Sequence, residues 1–196
     1  MRDPEATIER ILEKSGGLFN TQGYKATSIS DITEATGLTK GAIYRHFKSK
    51  EELEQKALYH LSSRLYDKLR AKIKAEPTAG RKLHAMCAFF NSYITDPPID
   101  GGCPLMNAAV EADDTNPTLR LGALKILNSL RDSIIIVLEN GIRHGQIRKD
   151  IDKEYYATII FAALEGSIMM SKLRGNNDDI RMVIRHLDRL IQEIEI

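Results

Sequence analysis

A run of cationic side chains without any acidic neighbour stands out in the range Thr39–Lys50. The charged residues are Lys40, Arg45, Lys48 and Lys50, and His46 lies among them. The formal net charge of the whole chain is only +1, so this local excess is not part of a general basic field. Such a stripe suits contact with phosphate groups. Most charge runs are solvated helix faces, however, and the charges alone leave both interpretations open.

Two short helices joined by a tight turn are predicted to position these charges. Ser28 can cap the first helix, and Asp31 three residues later completes a capping-box pattern. Gly37 suits the left-handed conformation that ends a helix, and Thr39 can cap the second helix. The apolar residues of this segment are spaced to share one small core: Ile29, Ile32, Ala35, Leu38, Ile43 and Phe47. This is the anatomy of a helix-turn-helix, whose second helix enters the DNA major groove, and it favours DNA over a solvated face.

The range Gly37–Leu53 resembles the recognition-helix signature of the TetR family of bacterial transcriptional regulators. The resemblance depends on the pattern Tyr-x-His-Phe followed by Ser-Lys-Glu-Glu-Leu, which is more specific than a generic helix-turn-helix. It is strong over residues 5–60. It is weaker afterwards, where the number of helices and the range Gly101–Pro104 look similar to some members.

The resemblance also implies which residues would touch DNA. The residues that it places near the bases are at the start of the second helix: Thr39, Lys40, Gly41 and Ala42. The residues that it places against the phosphate backbone are Thr27, Ser28, Tyr44, His46 and Lys50. Arg45 could make either contact. The implied partner is a double-stranded DNA operator.

The rest of the chain predicts an all-α fold with a small head and a larger body. Ser49 and Glu52 form a further capping pattern, which opens a long helix to about Ala75. Later helices are predicted with an apolar stripe from Leu83 to Ile94, over 105–112, from 116 to about 143, over 152–173 and over 178–194. We expect a three-helix DNA-binding domain at residues 1–48. Residues 49–196 would form the helical domain for ligand binding and dimerisation.

The segment Asp152–Leu173 is apolar on nearly all sides. A helix without a polar face must be buried on both sides, and its own domain supplies only one of them. We therefore expect it to pair with the last helix in a four-helix interface of a homodimer. The residues assigned to this interface are Ile160, Leu164, Ile184, Leu187 and Ile191.

A second group of apolar residues, rich in Met, Phe and Tyr, runs through the middle helices. By default such a group is core, but the resemblance implies that part of it lines a cavity for a small apolar or amphipathic effector. The polar residues expected to face this cavity are Tyr93, Asn107 and Glu165. The expected walls are Phe89, Phe90, Met106 and Phe161. A solid core with the polar tips at its edge is the alternative.

Several functional classes find no support in the sequence. The strong catalytic motifs are absent and the histidines have no metal-ligand spacing, so we expect neither catalytic residues nor a metal or cofactor. Glu111, Asp113 and Asp114 cluster at a helix end and are expected to be solvent-exposed. Two cysteines do not suggest a disulfide scaffold, and no apolar run or signal peptide suggests a membrane. The expected compartment is the cytoplasm.

The leading hypothesis is a homodimeric repressor that a small molecule releases from a palindromic operator. In one alternative, the DNA-binding dimer responds to a protein partner or to oxidation of Cys103. In another, the chain is an all-helical enzyme or carrier whose head is an interaction module.

Overall fold

A computed structural model describes residues 3–112 and 114–196 and builds nine α-helices from them. In chain order these are α1 (Pro4–Gln22), α2 (Ile29–Thr36), α3 (Lys40–Tyr44), α4 (Lys50–Lys74), α5 (Ala79–Phe89), α6 (Pro104–Ala112), α7 (Pro117–Arg143), α8 (Lys153–Arg174) and α9 (Asp178–Gln192). Within those residues the β-type pairing is one isolated antiparallel bridge between Ile147 and Glu195. The expected all-α fold is confirmed.

Capping side chains define where most helices begin. Asp3 precedes the proline that opens α1, and its side chain accepts a hydrogen bond from the Glu5 N–H. Asn116 caps α7 through the Leu119 N–H at 3.0 Å, and Asp152 caps α8 in the same manner. These side chains satisfy N–H groups that have no partner within the helix.

The helix α5 is shorter than its apolar stripe predicted. It ends at Phe89, and turns follow where the sequence pattern continued to Ile94. The Ile94 N–H donates to the side-chain oxygen of Asn177 at 3.1 Å. A side chain distant in sequence therefore takes the N–H that a longer helix would have used for its own backbone.

Packing divides the chain into two compact units. Unit 1 contains the residues up to Leu65 together with Ile99–Ile126, and unit 2 contains Tyr66–Pro98 together with Leu127–Ile196. The helices α4 and α7 contribute residues to both units. These packing units differ from the expected functional division into 1–48 and 49–196, which stays a prediction. Residues 1, 2 and 113 lie outside the described part of the chain.

The core of unit 1 joins the three head helices to α4 and α6. The side chains of Phe19, Ile32, Ile43 and Phe47 are buried there. Gly16 of α1 is also buried, because α4 approaches its backbone closely. Gly16, the first of two consecutive glycines in α1, thus has a packing role.

In the core of unit 2, α8 packs against α9, and α5 packs against α9 as well. The His84 ring on α5 lies 2.6 Å from a carboxylate oxygen of Asp188 on α9. The last residues return to the turn before α8, where the Arg148 N–H donates to the Ile194 carbonyl at 2.9 Å. The C-terminus is therefore fixed within this unit.

Among the described helices, α8 alone has the length and mean hydropathy, 1.2 over its most apolar window, that would suit a membrane span. Core helices of soluble proteins meet the same criteria. Since α8 packs against α9 within unit 2, its composition does not indicate a membrane protein.

The neighbouring glycines of α1, Gly16 and Gly17, provide a test of the close packing between α1 and α4. A Cβ at Gly16 would lie 2.9 Å from Leu61 Cγ, whereas a Cβ at Gly17 would meet nothing within 4 Å. Alanine favours a helix over glycine by about 1 kcal/mol, and overpacking costs about 1–3 kcal/mol. We expect Gly17→Ala to raise the free energy of unfolding by about 0.5–1 kcal/mol.

For Gly16→Ala we expect that free energy to fall by about 1 kcal/mol, because overpacking exceeds the gain in helix propensity. Denaturant unfolding of both variants at one protein concentration measures the difference. Equal stabilisation by the two substitutions would contradict the close contact with Leu61.

Candidate nucleic-acid interface

The helix α2 begins with the predicted reciprocal cap. The Ser28 N–H donates to an Asp31 carboxylate oxygen at 2.7 Å, and the Asp31 N–H donates to the Ser28 hydroxyl at 3.2 Å. The hydrogen bonds from the Ser28 backbone and hydroxyl lower the pKa of Asp31. The stabilising effect of this cap is therefore present at neutral pH and is lost only as the pH falls through that lowered pKa.

The turn and the second helix also follow the prediction. Gly37 has φ 63° and ψ 23°, in the left-handed region, and ends α2. Thr39 caps α3, accepting the Ala42 N–H at 3.2 Å. The buried side chains of Ile43 and Phe47 anchor the far side of α3 and the turn after it. The opposite side of α3 is left for solvent or a ligand.

The solvent-facing side of α3 and of the turn after it is cationic. Lys40, Arg45 and Lys48 are exposed, and His46 is half-buried. The Lys40 ammonium lies 5.9 Å from the ring centre of Tyr44, itself exposed. Of the other residues predicted to contact DNA, Ser28, Thr39 and Gly41 are exposed and Ala42 is half-buried. The arrangement can present cations and hydroxyl groups to a polyanion.

Thr27 does not fit the prediction for its side chain. It is 0% exposed, and its hydroxyl donates to the Gly23 carbonyl at 2.7 Å. The side chain therefore faces the core and stabilises the turn between α1 and α2. This corrects its expected place against the phosphate backbone.

Lys50 has a role within the protein that the sequence did not suggest. Its ammonium donates to the Tyr24 carbonyl at 2.8 Å and lies 3.2 Å from a carboxylate oxygen of Glu54. Burial raises the pKa of Glu54, and the Lys50 ammonium opposes that shift. Because these groups already engage its charge, Lys50 as a phosphate contact stays a prediction that must account for them.

Glu111 is a residue of this unit that sequence reasoning missed. We expected it to be solvent-exposed, but it is half-buried and accepts the Tyr24 and Lys25 N–H groups at 3.1 Å each. Its separation of 87 residues from Tyr24 leaves no local sequence signal. Of the other acidic residues in that cluster, Asp114 is exposed and Asp113 lies outside the described residues.

The seven residues predicted to bind a ligand fall into both packing units. Met106 and Asn107 belong to unit 1, and the other five belong to unit 2: Phe89, Phe90, Tyr93, Phe161 and Glu165. The amide of Asn107 donates to the Asn20 side-chain oxygen at 2.9 Å, so it is engaged within unit 1. A ligand contact by Asn107 would have to replace these bonds. The assignments of all seven stay predictions.

The aromatic part of the predicted cavity is closely packed. The rings of Phe90 and Tyr93 stack with centres 5.6 Å apart, and Phe89 meets Phe90 edge-on at 5.2 Å. An open groove of about 560 Å³ lies in unit 2, and its lining includes Ala88 and Asn91, which flank Phe89 and Phe90 in the chain. Its lining residues are Ala88, Asn91, Asp178, Arg181, Met182, Ile184 and Arg185, and none of the seven predicted residues is among them.

The residues predicted for the dimer interface are buried within the single chain. Ile160, Leu164, Ile184, Leu187 and Ile191 are all buried, and α8 packs against α9 in unit 2. They are therefore part of the core and offer little surface to a second copy. The large apolar side chains that α8 and α9 expose are different ones: Tyr155, Met169, Met170, Leu173 and Met182.

The thiols and histidines do not converge on a reactive site. Cys87 and Cys103 are both buried and form no disulfide. Burial, reinforced by the Asp188 carboxylate, raises the pKa of Cys87 to about 12, so this thiol is protonated at neutral pH. Among the residues that the structure describes, no three His, Cys, Asp or Glu side chains are placed to hold a metal ion.

Two family profiles match the chain. Residues 11–57 match the profile of bacterial regulatory proteins of the tetR family. Residues 79–187 match the profile of the tetracyclin repressor-like C-terminal domain. The first match covers the capped helices and the cationic surface of α3.

Similar solved structures and a similar named protein are also transcriptional regulators. A TetR transcriptional regulator from Chloroflexus aurantiacus J-10-FL is 35% identical and superposes with a TM-score of 0.93, covering 100% of this chain and 98% of that one. A TetR-family regulator from Cytophaga hutchinsonii is 32% identical, with a TM-score of 0.90 and coverage of 97% and 96%. The transcriptional repressor DhaR of Mycobacterium sp. strain GP1 is 25% identical over 88% of this chain and 85% of its own length.

The exposed cations of α3 and the turn after it can be tested individually. Removing one phosphate contact should reduce the slope of log K against log salt by about 0.9. We expect this for Arg45→Ala, measured by fluorescence anisotropy on a duplex of mixed sequence. Lys72→Ala, which removes the same charge from an exposed position on the C-terminal half of α4, is the control and should keep the wild-type slope. An unchanged slope for Arg45→Ala would exclude Arg45 as a phosphate contact.

Proposed function

Because the chain belongs to the TetR family of bacterial transcriptional regulators, we propose that it is a cytoplasmic repressor that binds a palindromic operator as a homodimer. A small apolar or amphipathic molecule would release it from the DNA. The chain is a DNA-binding regulator and not an enzyme. The observation that carries the proposal is the exposed cationic face of α3, held by the caps at Ser28 and Thr39.

Repression is supported by the relatives and by the chemistry of the head. DhaR is named a transcriptional repressor, and it matches most of this chain. A protein that covers DNA through a recognition helix can block transcription without any further activity. Regulation by oxidation has less support, because Cys103 is buried.

The homodimer is supported by the apolar surface that α8 leaves exposed. Four exposed side chains of α8 are separated by seven or four residues, which correspond to two turns or one turn, so they share one face of the helix. They are Tyr155, Ala162, Met169 and Leu173. Leu173 is 83% exposed, Tyr155 53% and Met169 47%. Exposed contiguous apolar surface is characteristic of protein interfaces. A second copy related by a two-fold axis would cover this face and match a two-fold operator.

A ligand can release the protein only if it binds the DNA-incompetent state more tightly, since equal affinity for both states shifts nothing. The aromatic cluster and the groove of unit 2 supply apolar surface for such a molecule. The groove also contains Arg181 and Arg185, which suit a polar or anionic end group. These features support an apolar or amphipathic effector.

The operator can be identified by selection with the protein alone. Selection from a randomised duplex library by the wild-type protein should enrich an inverted repeat, because a two-fold protein reads two half-sites. The centres of the half-sites should be about 34–36 Å apart, or a multiple of that distance. Enrichment of a single unrepeated site, or of no site, would contradict the proposal.

The dimer face predicts a specific effect of charge. In Met169→Glu each copy would bury an unpaired carboxylate, and a buried unpaired charge costs about 3–5 kcal/mol. We expect dimerisation to weaken by about 100-fold or more, measured by sedimentation. Helix content should be unchanged, because the side chain is exposed in the single chain. Leu121→Glu, at a similarly exposed position on α7, is the control and should stay dimeric.

The effector site predicts a loss of ligand response in a variant that still binds DNA. Phe89→Ala removes a half-buried ring from the aromatic cluster of unit 2. We expect any compound that releases wild type from the selected duplex to require about tenfold higher concentration, because burying such a ring contributes about 1.5–3 kcal/mol. Affinity for the duplex itself should stay within about threefold. An unchanged release curve would exclude Phe89 from the effector site.

A further inference from the structure

The turn between α1 and α2 is held on both of its backbone edges by side chains from other helices. The Tyr24 N–H donates to Glu111 Oε1 and the Lys25 N–H donates to Glu111 Oε2, both at 3.1 Å. On the other edge, the Tyr24 carbonyl accepts the Lys50 ammonium at 2.8 Å. One carboxylate from α6 and one ammonium from α4 therefore fix the peptide groups that lead into α2.

The partners of this turn are themselves fixed within unit 1. Lys50 is paired with Glu54 at 3.2 Å, and Glu54 also accepts the Asn116 amide at 2.8 Å. Asn116 is the cap of α7. The turn is thus connected to α4, α6 and the start of α7 through charged or amide groups, and hydrogen bonds to charged groups are the stronger kind.

The backbone of the turn is shaped to receive the carboxylate of Glu111. Gly23 has φ +97°, a conformation that side chains disfavour. A Cβ at this position would lie 2.9 Å from Glu111 Oε1. A side chain at position 23 would therefore strain the backbone and displace the carboxylate at once.

A second polar contact joins the same elements one turn earlier. The Asn20 amide donates to the Gly102 carbonyl at 3.0 Å, and the Asn107 amide donates to the Asn20 side chain at 2.9 Å. A Cβ at Gly101 would lie 2.4 Å from the Asn20 carbonyl oxygen. The end of α1 is therefore attached to the loop before α6 and to α6 itself.

From these contacts we propose that Glu111 is a positioning residue of the DNA-binding head. The carboxylate sets the α1–α2 turn, the turn sets the start of α2, and α2 packs against α3. Loss of this carboxylate would therefore change how α3 is presented to DNA. The inference rests on the proposed function, since operator affinity is one of its two readouts.

The direction in which DNA affinity changes when Glu111 is removed distinguishes a positioning role from a purely electrostatic one. Removing a negative charge from a DNA-binding protein should by itself increase its affinity for DNA. Loss of the Glu111 contact should decrease affinity for the selected operator, because the turn is released. The decrease should be smaller on a scrambled duplex, where correct placement of α3 against the bases matters less.

The experiment compares Glu111→Ala with Glu9→Ala, an exposed glutamate of α1 whose loss changes the charge equally. We expect Glu111→Ala to bind the library-selected duplex about tenfold more weakly, but a scrambled duplex less than about threefold more weakly. Glu9→Ala should bind both at least as tightly as wild type. Glu111→Gln keeps one acceptor oxygen and should fall between wild type and Glu111→Ala.

A readout in the free protein makes the test independent of DNA. Amide hydrogen exchange at Tyr24 and Lys25, measured by NMR, should accelerate in Glu111→Ala and stay unchanged in Glu9→Ala. Asn107→Ala serves as a second variant, should Glu111→Ala not fold, and should show the same preferential loss on the selected duplex.

Unchanged operator affinity in Glu111→Ala, or equal losses on both duplexes, would overturn the proposal, as would unchanged exchange at the two amides. If wild type selected no duplex from the library, the proposed function would fail instead. The exchange rates would then still decide whether Glu111 holds the turn.

Discussion

A helix of five residues cannot be stable alone in water, and α3 (Lys40–Tyr44), which we propose to present to DNA, is such a helix. Its conformation depends on its surroundings: the Thr39 cap, the left-handed Gly37, and the burial of Ile43 and Phe47. The packing of α1 against α2 and the side chains that hold the turn between them extend this support. The DNA-binding surface is therefore a property of all of unit 1.

Local sequence patterns were sufficient to predict those parts of the fold in which the interacting residues are close together in the sequence. The cap formed by Ser28 and Asp31 and the cap at Thr39 join residues three apart, so the pattern of residue types predicted them correctly. Gly37 was equally predictable, because a left-handed residue at a helix end favours glycine. The long helices followed from apolar periodicity. One exception was α5, which ends at Phe89 and is followed by turns, where the distant Asn177 accepts the Ile94 N–H.

Contacts between residues far apart in sequence could not be predicted in this way. Glu111 was expected in solvent, and only the fold brings it to the α1–α2 turn. The interface residues expected on α8 show a second limit of the sequence. A helix that is apolar on nearly all sides does not indicate which side faces its own core, and the residues chosen, such as Leu164, are the buried ones. Thr27 was misplaced because its match to a family position does not determine where its side chain points.

We propose that two copies of this chain present α3 to DNA about a two-fold axis. Hydroxyl-radical footprinting of the wild-type protein on the duplex that it selects tests this claim most directly. Two-fold binding predicts two protected segments related by a dyad, on one face of the DNA, in a complex with an even number of chains. Protection of a single segment without symmetry, by one chain, would contradict the account.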